Sequence, residues 1–345
     1  MNIKLPLNMM NPQPSPQQYR GCLIGQCLGD ATGCRVEGYP AFVCNNYVQY
    51  ELRNKQPRDR DRFPFPFGQY TDDSQMAREL LSSYVELGRF CPDDYARRIV
   101  ALFTENRIVG RGRTTETAVE RLALGVPWQE AGTPPPSAGN GSAMRAAPVG
   151  LMFYDHPQQL IQVAHQQGLI THQDPRCSGG SIAIAGAVAF VLQNKSFSPE
   201  HFIAQISQWV QEVSPEFATE ILRLNQWIEL PSAPAFELIS RAGLNPDYRS
   251  EWDGISPFVV GSVLWSLYSF LRTPNDYWET ICTAIIIGGD VDTTAAMAGA
   301  ISGAYLGLDA IPLGLAKQLN DRGSWKYTEL LELADRCYNL KFKKE

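Results

Sequence analysis

Two acidic segments contain the residues of this chain that are best suited to chemistry. In the first, Asp290 and Asp292 stand two positions apart after a pair of glycines, and Thr293 follows them. The segment lies between the apolar residues 281–287 and a run of small residues that begins at Ala295. Burying an ionised carboxylate costs several kcal/mol unless a positive charge compensates it. A bound cation is therefore the natural interpretation of this segment.

The second acidic segment opens a predicted helix. Thr71 is followed by Asp72 and Asp73, and apolar residues at helical spacing then run as far as Gly88. A threonine N-cap and acids in the first turn suit the positive end of a helix dipole. Capping accounts for one acid, or two, but it does not explain why two distant helices begin with the same chemistry.

Together the two segments form a donor set for divalent cations. They supply hard oxygen atoms from carboxylates and hydroxyls, with no histidine beside them. Such donors favour Mg²⁺ or Mn²⁺ over zinc, and four acids with Glu37 would roughly balance the charge of two ions. The residues expected to bind metal are Thr71, Asp72, Asp73, Asp290, Asp292 and Thr293. The alternative is a pair of unrelated helix caps.

Two helices of unusual composition must position these acids. One spans residues 19–33 and the other follows Asp292, and in each of them small residues recur every four positions. These residues are Gly21, Gly25, Gly29 and Gly33 in the first helix, and Ala295, Gly299 and Gly303 in the second. Residues four apart share one helix face, so each helix presents a face with almost no side chain. Since glycine weakens an isolated helix, we predict that both are buried against closely packed neighbours.

Two glycine-rich loops are candidates for phosphate binding. The first comprises residues 110–115 and leads into a predicted helix; the second comprises residues 137–145. Backbone N–H groups in such loops can contact phosphate oxygens. Glycine-rich loops before helices are common, so neither loop identifies a site by itself.

The rest of the chain predicts an all-α fold, because apolar residues recur at helical spacing and no strand-and-turn rhythm is present. Residues 38–70 are predicted to be mostly loop, since the alternating prolines of 63–68 cannot continue a helix. The further helical patterns cover 95–103, 116–124, two helices within 158–194, and 199–213, 215–228, 257–271, 275–287, 310–319 and 325–339.

Composition limits the classes of protein to consider. The 345 residues suit one large domain or two smaller ones; we predict a loose N-terminal arm over 1–18 and one all-α domain over 19–345. The net charge of −6 and the lack of a basic stripe argue against nucleic-acid and membrane-surface partners. No apolar run is long and uninterrupted enough to span a bilayer. Eight scattered cysteines without a CxxC pair suggest reduced thiols in a cytoplasmic protein.

Five motifs, in order along the chain, resemble those of the ADP-ribosylglycohydrolase family, which includes dinitrogenase reductase-activating glycohydrolase and the ADP-ribosyl-acceptor hydrolases. They are residues 29–33 with Glu37, residues 71–74, residues 139–145, the pair Thr171 and His172, and residues 288–293. The resemblance covers about residues 20–310. It implies a compact, single-domain orthogonal helical bundle that holds two magnesium ions in a central cleft.

The resemblance also implies roles for individual residues. Thr71, Asp72 and Asp73 would hold one metal ion, Asp290 and Thr293 would hold the other, and Asp292 would bridge both. Glu37 matches a glutamate on a mobile loop near the metals and the scissile bond, and it is the expected gate or proton carrier. Asp72 and Asp73 are the other candidates for proton transfer. Residues expected to enclose the diphosphate and distal ribose are Gly110, Gly112, Ser137, Gly139, Asn140, Gly141 and His172.

The implied activity is Mg²⁺-dependent hydrolysis of the glycosidic bond between ADP-ribose and a protein side chain, arginine or another acceptor. The chain departs from two patterns in the family. Gly110 and Arg111 stand where some arginine-specific relatives carry an acid, and Ala138 stands where some serine-linkage relatives carry an aromatic residue. Two alternatives stay open: a hydrolase of a free ADP-ribosyl or other ribosyl conjugate, and a non-catalytic relative that binds ADP-ribose or serves structurally. The sequence predicts no oligomeric state.

Overall fold

The computed structural model describes residues 13–60, 63–248 and 250–342, and within these ranges the regular structure is helical with no β-strand. The all-α prediction is confirmed. Residues 1–12 of the predicted arm lie outside the described residues. The α-helices are α1 (Pro16–Gly33), α2 (Ala41–Tyr47), α3 (Asp72–Leu87), α4 (Pro92–Thr104), α5 (Arg113–Ala123), α6 (Trp128–Ala131), α7 (Ala147–Phe153), α8 (Pro157–Leu169), α9 (Pro175–Gln193), α10 (Pro199–Gln211), α11 (Pro215–Trp227), α12 (Ser232–Ile239), α13 (Val259–Arg272), α14 (Tyr277–Ile285), α15 (Val291–Leu306), α16 (Leu313–Ala316) and α17 (Tyr327–Phe342).

The centre of the molecule is the pair α1 and α15, whose glycine faces pack directly on each other. A Cβ atom at Gly25 would lie 2.4 Å from the carbonyl oxygen of Gly299, and one at Gly21 would lie 2.2 Å from that of Gly303. The contacts run in opposite directions along the two helices. The end of α1 therefore lies beside the start of α15, where a Cβ at Gly33 would be 2.5 Å from Cα of Asp292. The smooth faces predicted from the sequence are confirmed as buried.

The start of α1 is three residues earlier than predicted. Ser15 is the N-cap, with its side chain accepting from the Gln18 N–H while the Gln18 side chain accepts from the Ser15 N–H. This capping box and a proline at the first helical position extend the helix to Pro16. Neither signal depends on the glycine spacing from which the helix was predicted.

The prediction that residues 38–70 are mostly loop is wrong for their first third. Helix α2 continues directly into a π-helix over Val48–Leu52. The reason is tertiary packing: Cys44, Tyr47 and Leu52 are buried, and the Trp278 indole N–H donates to the Leu52 carbonyl oxygen at 2.6 Å. Cys44, Tyr47, Val48 and Leu52 do lie at helical spacing, so the sequence carried a signal for this helix.

Four further differences concern short elements. The predicted helix 310–319 is a 3₁₀ turn over Leu308–Ala310 followed by the four-residue α16, because Pro312 interrupts it. Helices α6, α7 and α12, of four, seven and eight residues, were not predicted. All three are too short to show a clear periodicity.

Helix α9 is an exception to the prediction that no apolar run is long enough to span a bilayer. By length and composition it could cross a membrane, but 89% of its most apolar stretch is buried inside the molecule. It packs against α7, α8, α10 and α15, which makes it a core helix in this structure. All eight cysteines are free thiols, and seven of them are buried.

Candidate active site

One cavity of about 430 Å³ is lined by residues from both acidic helix starts and from both glycine-rich loops. Asp72 and Asp290, which are more than two hundred residues apart in sequence, line it together. Ser137 is the predicted site residue that does not line this cavity; its Oγ lies 3.3 Å from Oγ1 of Thr114, which does. The predicted residues that line it are Glu37, Thr71, Asp72, Asp73, Gly110, Gly112, Gly139, Asn140, Gly141, His172, Asp290, Asp292 and Thr293.

The start of α3 is capped by Asp30 from α1. Thr71 is the N-cap residue, but its own side chain makes no capping bond. Instead the Thr71 and Ser74 backbone N–H groups donate to the Asp30 carboxylate at 3.0 to 3.1 Å, and the Thr71 hydroxyl donates to it at 2.9 Å. The same hydroxyl lies 3.1 Å from Oδ2 of Asp73. Asp30 therefore positions Thr71 and, through it, the two acids that follow.

The start of α15 is shaped by two glycines with left-handed backbone. Gly288 and Gly289 have φ of 74° and 88°, which residues with a side chain rarely adopt. A Cβ atom at Gly289 would also lie 2.1 Å from the Ile255 carbonyl oxygen. The turn makes Asp290 the N-cap residue of α15. Asp292 accepts the Thr293 N–H at 2.9 Å with Oδ1.

The same glycine turn carries the loop of Glu37. The Gly38 N–H donates to the Gly289 carbonyl oxygen at 2.8 Å, and the Gly289 N–H donates to the Tyr39 carbonyl oxygen at 3.0 Å. Glu37 is exposed at the edge of the cavity. One oxygen each of Glu37, Asp290 and Asp292 lie within 4.8 Å of one another, a spacing at which they could hold a metal ion.

Burial makes the carboxylates of this cluster resist ionisation. It raises the pKa of Asp72 to about 8, with the negative charges of Asp30 and Glu37 adding to the effect. Burial also raises the pKa of Asp73 and of Asp292 well above the usual range, and that of Asp290 in the same direction. Within the described residues, Oδ1 of Asp73 is buried without a hydrogen-bond partner. Such an atom is costly unless something positive binds it.

Asn140 links the second glycine-rich loop to the acids. Its side-chain N–H group donates to Oδ2 of Asp290 at 2.6 Å and to Oγ of Ser262 at 3.0 Å. An amide donor stabilises the ionised form of the carboxylate and occupies one of its two oxygens. Asn140 therefore orients Asp290 and leaves the other oxygen free for a ligand.

The first glycine-rich loop closes over Asp72. Gly110 has φ of 79°, and a Cβ atom there would lie 2.5 Å from Oδ1 of Asp72. The side chain of Gln75 holds the loop in place: it accepts the Val109 N–H at 2.9 Å and donates to the Arg107 carbonyl oxygen at 3.0 Å. The Asp72 N–H completes the contact by donating to the Val109 carbonyl oxygen at 2.7 Å.

Several residues of the site were not predicted from the sequence. Asp30 lay within a quoted motif, and its burial in a glycine-rich helix is the signal that could have identified it. Phe63 and Trp252 line the cavity from two separate loops, where no local pattern marks them. Arg111 and Arg113 also line it, and both are exposed.

Comparison with known proteins finds one matching family model, several relatives and a similar solved structure. The family model described as ADP-ribosylglycohydrolase matches residues 11–345. ADP-ribosylhydrolase ARH3 of Xenopus tropicalis is 30% identical over 322 residues, which are 86% of this chain and 89% of that protein. ADP-ribosylarginine hydrolase Tri1 of Serratia proteamaculans is 25% identical over 319 residues, 90% of this chain and 77% of that protein. A solved structure titled "ADP-ribosylglycohydrolase-related protein complex" superposes with a TM-score of 0.70 and 26% identity, covering 95% of this chain and 99% of that one.

Proposed function

We propose that this chain, which belongs to the ADP-ribosylglycohydrolase family, is a Mg²⁺-dependent enzyme that releases ADP-ribose from a modified protein side chain. The convergence of two acidic helix starts in one cavity is the observation that carries the proposal. The names of the relatives, an ADP-ribosylhydrolase and an ADP-ribosylarginine hydrolase, support the chemical class. They leave the acceptor linkage open.

The donor set fits divalent cations on physical grounds. Four buried aspartates with raised pKa values lie in one cavity, and Oδ1 of Asp73 has no hydrogen-bond partner within the described residues. Cations that replace the protons would satisfy these oxygens, and hard carboxylate and hydroxyl donors suit Mg²⁺ or Mn²⁺. We propose two ions. Thr71, Asp72 and Asp73 would hold one, Asp290 and Thr293 the other, and Asp292 would bridge them.

The proposed reaction breaks the bond at the anomeric carbon of a ribose through an oxocarbenium-like state. When bound, the ions supply Lewis acidity and orient a water molecule. The protein's own part is to hold the ribose, to exclude bulk water and to move protons. Glu37 is suited to proton transfer, because it is exposed at the edge of the cavity while its carboxylate lies beside Asp290 and Asp292. Asp72 and Asp73 are the buried alternatives.

The glycine-rich loops are suited to the other end of the substrate. Gly110, Gly112, Gly139 and Gly141 line the cavity with bare backbone, so a diphosphate could approach their N–H groups closely. Arg111 and Arg113 add positive charge on the same side. We propose that these loops bind the diphosphate and distal ribose, and that the acidic cluster receives the ribose that carries the acceptor.

One assay tests the function directly: release of ADP-ribose from arginine-modified and serine-modified proteins, with Mg²⁺ and with a chelator. The expected result is release that requires Mg²⁺ from at least one of the two substrates. Binding of ADP-ribose without turnover would identify a non-catalytic binding protein. If neither modified protein is hydrolysed but a free ADP-ribosyl conjugate is, the substrate is a small conjugate and not a protein.

Asp292→Asn tests the bridging role. The amide keeps the size of the side chain but removes its charge, so we expect loss of Mg²⁺ binding and of hydrolysis with an unchanged far-ultraviolet circular dichroism spectrum. Asp335→Asn is the matched control, because it removes a carboxylate that pairs with Arg20 on the surface at 2.7 Å; it should retain full activity. Undiminished turnover by Asp292→Asn would refute the role of Asp292.

A further inference from the structure

A chain of three buried side chains leads from the interior of the protein to the wall of the cavity, and the metal-centred chemistry does not use it. It starts at Arg145, whose guanidinium is fully buried. Arg145 donates from Nε to Oε1 of Gln167 at 2.9 Å, and from Nη2 to Oγ1 of Thr171 at 2.8 Å. A guanidinium has donors and no acceptor. The Thr171 oxygen must therefore be the acceptor in this contact.

The second link joins Thr171 to His172. Oγ1 of Thr171 lies 2.7 Å from Nδ1 of His172. Within the described residues, the Thr171 hydroxyl hydrogen-bonds only Arg145 and His172. Its single proton cannot go to Arg145, and a buried hydroxyl proton without an acceptor is costly. The proton therefore goes to Nδ1 of His172, which must be the unprotonated ring nitrogen.

The third part of the chain is Nε2, the ring nitrogen of His172 on the side away from Thr171. Because Nδ1 accepts, the neutral ring carries its proton on Nε2. Burial and the nearby charge of Arg145 lower the pKa of His172 to about 3, so the ring stays neutral at ordinary pH. Nε2 has no hydrogen-bond partner within the described residues, and His172 lines the cavity beside Gly139 and Gly141.

The glycines next to His172 make room for the ring, because a side chain at either position would crowd it. A Cβ atom at Gly141 would lie 2.7 Å from Cε1 and 3.1 Å from Nε2 of His172. A Cβ at Gly139 would lie 3.5 Å from Nε2. The imidazole edge thus packs against bare backbone, and Nε2 reaches the side of the cavity that the glycine-rich loop forms.

We propose that Thr171 and Arg145 are positioning residues that hold His172 in the tautomer protonated at Nε2, so that a neutral N–H donor faces an oxygen atom of the bound ligand. The assignment of the tautomer depends only on the two hydrogen bonds of the Thr171 hydroxyl, to Arg145 and to His172. The identity of the ligand as an ADP-ribosyl group rests on the proposed function. The two parts can be tested separately.

The first experiment measures the tautomer in the free protein. Long-range ¹H–¹⁵N correlation spectra of protein labelled with ¹⁵N-histidine distinguish a protonated Nε2 from a protonated Nδ1. His172→Gln, which lacks the signal, assigns it among the four histidines. We expect a proton on Nε2 and a bare Nδ1, unchanged down to about pH 5. A proton on Nδ1, or a charged ring in this range, would overturn the proposal.

The second experiment measures the positioning role by calorimetric binding of ADP-ribose. Thr171→Val removes the hydroxyl at nearly constant volume, so we expect a mixture of tautomers and about 10-fold weaker binding, the equivalent of one hydrogen bond. Thr171→Ser restores the hydroxyl and should recover both the tautomer and most of the affinity. A structural role alone would not link the two readouts. Unchanged tautomer and affinity in Thr171→Val would refute the proposal.

A third comparison does not depend on the folding of Thr171→Val. Glutamine places an N–H donor near the position of Nε2, whereas asparagine places one near Nδ1. His172→Gln should therefore bind ADP-ribose several-fold more tightly than His172→Asn. Equal affinities would show that the Nε2 donor does not contact the ligand. Failure of the wild-type protein to bind ADP-ribose would refute the proposed function, while the tautomer measurement would still stand.

Discussion

Asp30 shows how one residue can organise a site that it does not line. Its carboxylate receives three donors from Thr71 and Ser74, and these bonds fix the start of α3. Burial raises the pKa of Asp30 to about 6, although the hydrogen bonds from Ser74 and Thr71 act in the opposite direction. Residues that orient metal ligands in this way commonly matter almost as much as the ligands themselves.

Asp30→Asn should weaken Mg²⁺ binding about 10–100-fold, because its amide group would meet donors where the carboxylate now accepts. It should also destabilise the protein by about 1 kcal/mol through loss of the cap. Isothermal titration with Mg²⁺ and thermal unfolding measure the two effects. Asp276→Ala is the control: Asp276 caps α14 by accepting the Glu279 N–H at 3.0 Å, and alanine cannot replace this cap. The control should lose similar stability and bind Mg²⁺ normally; an equal loss of Mg²⁺ affinity in both variants would contradict the role of Asp30.

At the scale of elements, the close packing of α1 on α15 brings the acids together. Glycine at the contact lets the helix backbones approach until carbonyl oxygens meet Cα atoms. Each helix carries part of the site at the end that meets the other: Asp30 near the end of α1, and Asp290 and Asp292 at the start of α15. Any change that separates the helices must therefore also move the acids.

Gly29→Ala should destabilise the fold by about 2 kcal/mol or more, although alanine is the better helix former by about 1 kcal/mol. The added Cβ would lie 2.1 Å from the Ala295 carbonyl oxygen, and backbone cannot move aside as a flexible side chain can. Chemical denaturation gives the free energy of unfolding. Mg²⁺ affinity should fall as well, because Asp30 is the next residue.

Gly314→Ala is the control for this prediction. Gly314 is an exposed glycine in helix α16, and a Cβ there would meet nothing within 4 Å. Its free energy of unfolding should stay the same or rise by up to about 1 kcal/mol, since alanine is the better helix former. If Gly29→Ala were as stable as Gly314→Ala, the contact between α1 and α15 would be looser than the structure indicates.

At the scale of the whole molecule, the buried acids of the cavity lower the stability of the metal-free protein as the pH rises. Burial raises the pKa of Asp72 from its ordinary value of 3.8 to about 8, so between these values the folded protein keeps a proton that the unfolded chain has released. Stability from such a group is fully present below about pH 3.8 and is lost as the pH rises toward 8. Bound cations would take the place of the protons and remove this loss.

We therefore predict that the melting temperature in a chelator falls as the pH rises from about 6 to 8, and that Mg²⁺ raises it more at the higher pH. Asp94 and Asp174 do not affect the melting temperature in this pH range. Hydrogen bonds and ion pairs with neighbouring residues outweigh burial and lower their pKa values, so their contribution to stability changes only at acidic pH. The double variant Asp72→Asn, Asp292→Asn should show a weaker pH trend, because only Asp73 and Asp290 of the four acids remain, and it should lose the response to Mg²⁺. A melting temperature that rises with pH in the chelator would contradict the prediction. Differential scanning fluorimetry measures all of these values.

The sequence by itself determined what depends on neighbours along the chain. Apolar spacing predicted the long helices, including α3, α9, α10 and α11, and glycine spacing predicted the smooth faces of α1 and α15. The acids at two helix starts, and the bare backbone of the loops, could be read in the same way. Residue types and local periodicity are properties of short segments, so no tertiary information was needed.

Only the tertiary structure decided which distant segments meet. Asp30 and Thr71 are 41 residues apart, and Asn140 and Asp290 are 150 apart; neither contact leaves a local pattern. The same holds for the π-helix that follows α2, where the Leu52 carbonyl oxygen accepts from Trp278, and for the direction of the hydrogen bonds from Arg145 through Thr171 to His172. A side chain's partner depends on packing between elements, which no short stretch of sequence contains.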